Sequence, residues 1–162
     1  MKQTFRISAT VLASAVMAIV LCSTMFGDTM FGDTVDLRGQ RELFASINRA
    51  RLAHGLNPLR WDQALAAAAK RHAEVMAEHG SVQHVFDGEP SLSARVKRTG
   101  THFHWLAENV TQGPSPGFIH DQFMGSKPHR ANILDRDMDS VGIGIVERHR
   151  QLFAVEDFSQ AR

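Results

Sequence analysis

The sequence predicts an α+β layered domain, because two strongly helical stretches fill its first half and an alternating hairpin closes its C-terminus. No glycine-rich phosphate loop is present, which disfavours a βαβ nucleotide-binding arrangement. With 162 residues, 43% of them hydrophobic and 22% charged, the chain has material for one core and not two. Its 18 Lys and Arg nearly cancel 17 Asp and Glu, with no basic stretch interleaved with aromatics. The usual electrostatic footprint of nucleic-acid binding is therefore missing.

The first element is a leader, residues 1–24, read as a secretory signal peptide or an N-terminal anchor. Lys2 and Arg6 precede an uncharged run from Ile7 to Gly27, whose apolar part ends near Cys22. Leu21-Cys22-Ser23 is a poor small-x-small cleavage site, and the run approaches the ~20 residues of a membrane span. Cys22 raises the question of lipidation, although Leu21 stands where lipoprotein signals usually carry Gly, Ala or Ser. Export is expected in each case, to the periplasm or the cell exterior. Without Lys2 and Arg6 the balance becomes 16 basic against 17 acidic residues. Cys22 is the chain's one cysteine, so the exported part has no disulfide and must be held by its core.

Residues 25–39 read as a linker, in which Met25-Phe26-Gly27-Asp28-Thr29 is repeated as Met30-Phe31-Gly32-Asp33-Thr34. A five-residue duplication is far shorter than the ~20 residues of a structural repeat. Helical periodicity begins at about Asp36 and runs to His54, with Leu43, Ile47 and Ala50 on one face and Gly55 as the stop. Asp62 is a good N-cap for a second helix, Gln63 to His79, ended by Gly80. A loop from Ser81 to Pro90 leads to a short helix that Ser91 or Ser93 caps and Thr99-Gly100 ends. Thr101 to Gln112 mixes strand formers with polar residues. After Pro114-Ser115-Pro116-Gly117, a short helix from Phe118 to Gly125 meets a corner at Ser126-Lys127-Pro128-His129. Val141, Ile143 and Ile145 alternate along one strand, a turn falls near Arg148-His149-Arg150, and Gln151 to Phe158 returns. Gly142 and Gly144 in that strand predict close approach by another element.

Nine histidines are the chemical oddity. His54, His79 and His149 sit at predicted helix or turn ends, where a cation complements carbonyl groups. His102 and His104 share a face in an extended segment but make only two ligands of a metal site. His72, among Leu65, Ala69 and Met76, reads as a buried neutral ring holding a carbonyl or a polar loop group. Trp61 and Trp105 read as core anchors. His84, Glu108 and His129 lie beside turns or breaks, and spacing alone does not bring them together.

Seven segments stand out together: Leu43 to Arg51, His54 to Asp62, Ala68 to Ala77, Ala107-Glu108-Asn109-Val110, Ser126 to Leu134, Val141-Gly142-Ile143-Gly144 and Asp157-Phe158. In order and spacing they resemble the CAP superfamily (cysteine-rich secretory proteins, antigen 5, pathogenesis-related 1; the SCP domain), in its cysteine-poor bacterial branch. The resemblance spans about residues 40–160 and implies a three-layer α-β-α sandwich with a small antiparallel sheet between helices. It also implies a cleft lined by two His and two acids. His84, Glu108 and His129 match three of these positions. The fourth, three residues after Phe123, is Ser126, so the second acid is missing. Asp121, Glu156 or water is left to fill that gap.

Two imidazoles and a carboxylate can hold a divalent, zinc-like ion with an open position for water. His84, Glu108 and His129 are the expected ligands if one binds; otherwise they form a hydrogen-bonded cluster. Ser126 near His129 invites a nucleophile–base reading, yet Ser126 before Pro128 more simply shapes a turn, and no Gly-x-Ser-x-Gly motif is present. Arg130, Asn132 and Asp135 are expected to satisfy backbone groups there. The primary expectation is an exported, monomeric binding or interaction module, taking a metal, a small lipid or a protein at this cleft. It touches a membrane only through the leader. The alternatives are a metal-dependent, peptidase-like hydrolase and a tethered envelope structural protein.

Overall fold

The computed structural model describes residues 34–161. The leader and the linker up to residue 33 lie outside the described residues. Within them the order is β1 (Thr34–Val35), α1 (Leu37–Ala53), β2 (Arg60–Trp61), α2 (Gln63–His79), α3 (Leu92–Lys97), β3 (Phe103–Gly113), α4 (Pro116–Gly125), α5 (Lys127–Ile133), β4 (Ser140–Arg148) and β5 (Gln151–Ala161). The linker expectation thus ends early, since Thr34 and Val35 pair with Glu147 and Val146.

The two long helices form where their caps and periodicity place them. Asp36 accepts from the Gly39 N–H at 2.7 Å, and Asp62 accepts from Ala64 and Leu65 at 2.8 and 3.0 Å. Gly80 ends α2 in the left-handed conformation. The hairpin turn falls at His149 and Arg150, both at positive φ, the backbone that suits the twist of a two-residue loop. The Ser126–His129 corner is the start of a further helix, α5, with Pro128 in its first turn where the missing N–H costs nothing. Periodicity missed it because seven residues are too few to show a repeat.

The sheet runs β1-β4-β5-β3, with β2 joining β4 in parallel beyond β1 along the same edge. Side chains alternate between its faces. Ile143, Ile145, Ala154 and Phe158 pack with Leu43 and Ile47 of α1, Ile119 and Phe123 of α4 and Ile133 of α5. Val146, Phe153, Val155 and Val110 pack on the other side with Ala69, Ala73 and Met76 of α2. Helices therefore cover both faces, as the α-β-α expectation requires. Where α2 crosses β4, a Cβ on Gly142 would overlap the Ala66 and Leu65 backbone, and one on Gly144 the Lys70 and Ala69 backbone. The two glycines allow an alanine-rich helix to lie directly on the sheet.

Arg51 ties one end of this frame together. It is 1% exposed, and its guanidinium donates to the carbonyls of Asn57, Ile133, Asp135 and Met138 at 2.8–3.2 Å. Trp61 packs edge-on against Phe44, ring centroids 5.5 Å apart, as a core anchor should. Trp105 does not: it is 62% exposed, next to a bulge in β3 where the alternation of the edge strand is broken.

Gly144→Ala is expected to cost about 3 kcal/mol, the upper range for overpacking, because backbone rather than a flexible side chain must yield. Gly55→Ala, at φ +71° with open space around it, should cost only about 1 kcal/mol. Urea unfolding of both variants checks the contrast.

Candidate functional site

β3 is the sheet's edge strand opposite β1 and β2, and its consecutive residues Glu108 and Asn109 point to opposite faces. Each recruits one half of the site. On the α2 face, Glu108 accepts from His84 Nδ1 at 2.8 Å through Oε1 and from Arg95 Nη2 through Oε2. Arg95 also donates to the carbonyls of His84 and Pro90, so it fixes the loop that carries His84. On the opposite face, Asn109 Nδ2 donates to the His129 carbonyl at 3.2 Å and to Glu156 Oε2 at 3.0 Å. Asn132 Nδ2 donates to Asn109 Oδ1 at 2.8 Å and holds α5 against the strand. His84 and His129 thus reach the β3 edge from opposite layers.

Their electrostatics differ. The hydrogen bond to Glu108 raises the His84 pKa above its ordinary value, against burial and the Arg95 charge, which lower it. Burial lowers the pKa of His129, and the nearby His84 charge lowers it further. His129 also meets Phe123 edge-on, centroids 5.2 Å apart. Environment therefore tunes two identical side chains in opposite directions at one strand edge.

The remaining expectations divide. Asp121 is exposed on α4, where its charge acts on His120. Glu156 is fully buried beneath Asn109, and burial pushes its pKa up to about 8 against the lowering effect of Asn109's hydrogen bond. It supports the site from below and lines no open surface. Ser126 caps the start of α5, and among the described residues its hydroxyl makes no hydrogen bond. Of its neighbours, Asn132 acts on Asn109, and Asp135 accepts the Asp137 N–H at 2.9 Å.

Fit to a metal is partial. Both Glu108 oxygens are engaged, one by a guanidinium, and His84 Nδ1 is spent on that carboxylate. The open donors are His84 Nε2 and the His129 ring. Glu108 has the position of a carboxylate that orients a ligating histidine rather than that of a third ligand. Among the described residues no group of three or more His, Cys, Asp or Glu is arranged to hold an ion.

Sequence reasoning missed the support beneath His84. His72 is fully buried, as expected, and its Nε2 donates to the Gln83 carbonyl at 2.8 Å. Its Nδ1 meets Glu89 Oε1 at 2.6 Å. Both ring nitrogens thus face oxygen acceptors of the loop that carries His84, a backbone carbonyl and a polar side chain. Arg95 gave no signal beyond being one cation on a six-residue helix. Asp157, opposite Glu108 in the register, is fully buried with neither oxygen hydrogen-bonded. Burial first, then the Glu108 charge, raises its pKa well above the carboxylate range.

The fold and these motifs define a CAP domain, and the chain belongs to that family: the profile of the "Cysteine-rich secretory protein family" matches residues 44–158. The uncharacterized membrane protein YlbC of Bacillus subtilis is 26% identical over 117 residues, 71% of this chain and 34% of that protein. The chain thus spans about a third of that relative's length. An extracellular SCP-domain protein of Bacillus anthracis superposes with TM-score 0.71 at 23% identity, covering 76% of this chain and 40% of the other. An outer surface protein of Borrelia burgdorferi gives 0.75 at 19%, covering 82% of this chain and all of the other. Among the described residues no helix is long and apolar enough to cross a membrane.

In histidine-resolved NMR titrations, His84 is expected to titrate above 6.5 and His129 below it. Glu108→Gln should bring His84 down, because the bond favouring the charged ring weakens while burial remains. For Glu156, a raised carboxyl pKa means stability that is complete below about 4.5 and lost as pH climbs through about 8. By pH 7 the loss is about 3 kcal/mol, and Glu156→Gln should abolish this pH dependence in urea unfolding compared at pH 5 and 7.5.

Proposed function

We propose that the chain is an exported CAP binding module whose ligand sits at the β3 edge between His84 and His129. The observation that carries this reading is geometric: the fixed Glu108–Asn109 pair holds two histidine segments from opposite layers at one strand edge, with the two rings tuned in opposite directions. The extracellular, outer-surface and membrane descriptions of its relatives support placement outside the cytoplasm.

A divalent ion is one ligand this chemistry accommodates. His84 Nε2 and the His129 ring would hold it, Glu108 would orient His84, and water or a ligand group would complete the shell. Such an ion would polarise whatever oxygen it holds. A hydrolytic reading gains no support from Ser126, whose hydroxyl meets no base among the described residues.

Zinc titration by calorimetry tests this reading. One-to-one binding should weaken as pH falls, because a proton competes for His84 Nε2. The His84→Ala/His129→Ala variant should lose it while keeping its fold by circular dichroism. Equal binding by that variant would place the ion elsewhere. No zinc binding at pH 7.5 would leave the cleft to uncharged or protein ligands.

A further inference from the structure

One end of the domain gathers the hairpin turn, two helix starts and the point where the chain enters. β4 and β5 turn there at His149 and Arg150, and β1 begins beside the turn, with Thr34 opposite Glu147. α2 ends there, since Arg148 donates to the Ala77 carbonyl at 3.0 Å. α1 departs from it, the Asp36 N–H bonded to the Ile145 carbonyl at 3.1 Å. β3 finishes there with Gly113 opposite Leu152, and the Phe118 ring of α4 lies over Gly113, where a Cβ would meet it at 2.6 Å. A Cβ on Gly39, in the first turn of α1, would likewise lie 3.1 Å from Pro116, so the two helix starts abut.

Two kinds of side chain are left in solvent at this end. Phe118 is 45% exposed and Leu37 is 59% exposed. Arg38 and Arg150 are exposed, and among the described residues neither makes an ion pair. With Arg148, these guanidiniums outnumber the exposed carboxylates of Glu78 and Glu147 beside them. The 33 residues that precede Thr34 include the leader, and residues 25–33 separate the two. Nine residues span at most about 30 Å when fully extended. A bilayer entered by the leader therefore lies within that reach of Thr34. Trp105 stands in solvent at the opposite end, where β3 begins.

We propose that the hairpin end is a membrane-docking face, with Phe118 and Leu37 entering the headgroup region and Arg38 and Arg150 meeting anionic lipid headgroups. Apolar side chains beside guanidiniums suit that interface, because stem and charged head are solvated at different depths. The patch is too small to hold a free domain to a bilayer, and it orients one that the leader already tethers. The inference rests on the leader reaching a bilayer and is independent of what the His84–His129 cleft binds. Glu108 lies midway along β3, so docking by this end leaves that cleft open to solvent.

The test places the full chain in bilayer nanodiscs, of phosphatidylcholine alone or of equal parts phosphatidylcholine and phosphatidylglycerol. Phenylglyoxal modification is located by mass spectrometry. On the anionic bilayer Arg38 and Arg150 should react several-fold more slowly, while Arg98, exposed at the far end, should react equally on both. A second readout needs no arginine chemistry. A chain carrying Trp61→Phe, Trp105→Phe and Phe118→Trp reports from the hairpin end, and one carrying Trp61→Phe alone reports from Trp105. Brominated phosphatidylcholine in the anionic disc should quench the first and spare the second. Arg38→Glu/Arg150→Glu, with its fold checked by circular dichroism, should lower the docked-to-undocked ratio by at least about 25-fold, about fivefold for each cation lost. The proposal is overturned if the arginines react equally on both bilayers or if the hairpin-end reporter escapes quenching. It is overturned equally if Trp105 is quenched as strongly, or if the double charge reversal leaves the quenching unchanged.

Discussion

Glu108 and Asn109 are neighbours on an edge strand, and the pleat sends their side chains into different layers. That constraint organises the site. Glu108 draws in the His84 loop and Arg95 from the α2 layer, and Asn109 draws in His129 and Asn132 from the α5 layer. Two segments that share no sequence neighbourhood meet at one edge because one dipeptide holds both. A buried carboxylate such as Glu108 would be unfavourable alone, and Arg95 at its second oxygen removes the uncompensated charge.

The same logic extends inward through the α2 layer. Arg95 lies 3.6 Å from Glu89, which in turn meets His72. Arg95 thus stands between two carboxylates, Glu89 and Glu108. Burial and the Glu108 charge raise the pKa of Asp157, against the Arg95 charge, which lowers it. Charge closure of this kind rigidifies a loop more than it adds net stability, since paired burial roughly cancels desolvation. Its consequence is that the His84 loop is anchored at Gln83 and Phe86 by His72 and Glu89, leaving His84 presented at the surface.

The two edges of the sheet are lined by different side chains. At β3 the lining is imidazole and carboxylate, fixed by buried hydrogen bonds. At the β2 side it is aromatic and aliphatic, with amides and one arginine. Between them the sheet is closed on both faces, by α1, α4 and α5 on one and α2 on the other, and Gly142 and Gly144 let α2 seat without a gap. Arg51 binds the α1 end of this frame to the α5–β4 connection through the Ile133, Asp135 and Met138 carbonyls, and holds the loop after α1 through the Asn57 carbonyl.

Local chemistry was legible in the chain itself. Asp36 and Asp62 announce their helices, Gly55 and Gly80 end them, Gly142 and Gly144 forecast close packing, and valine and isoleucine alternation marks the hairpin. His84, Glu108 and His129 could be singled out only through family resemblance, because their separation of 24 and 21 residues carries no periodic signal. Tertiary structure decided what each of them does. It engaged both Glu108 oxygens, split the two histidine pKa values in opposite directions, buried Glu156 beneath Asn109 and left Trp105 in solvent. These outcomes depend on which layer a side chain enters and which charges lie beside it there. Long-range packing sets both, and nothing in neighbouring residues encodes them.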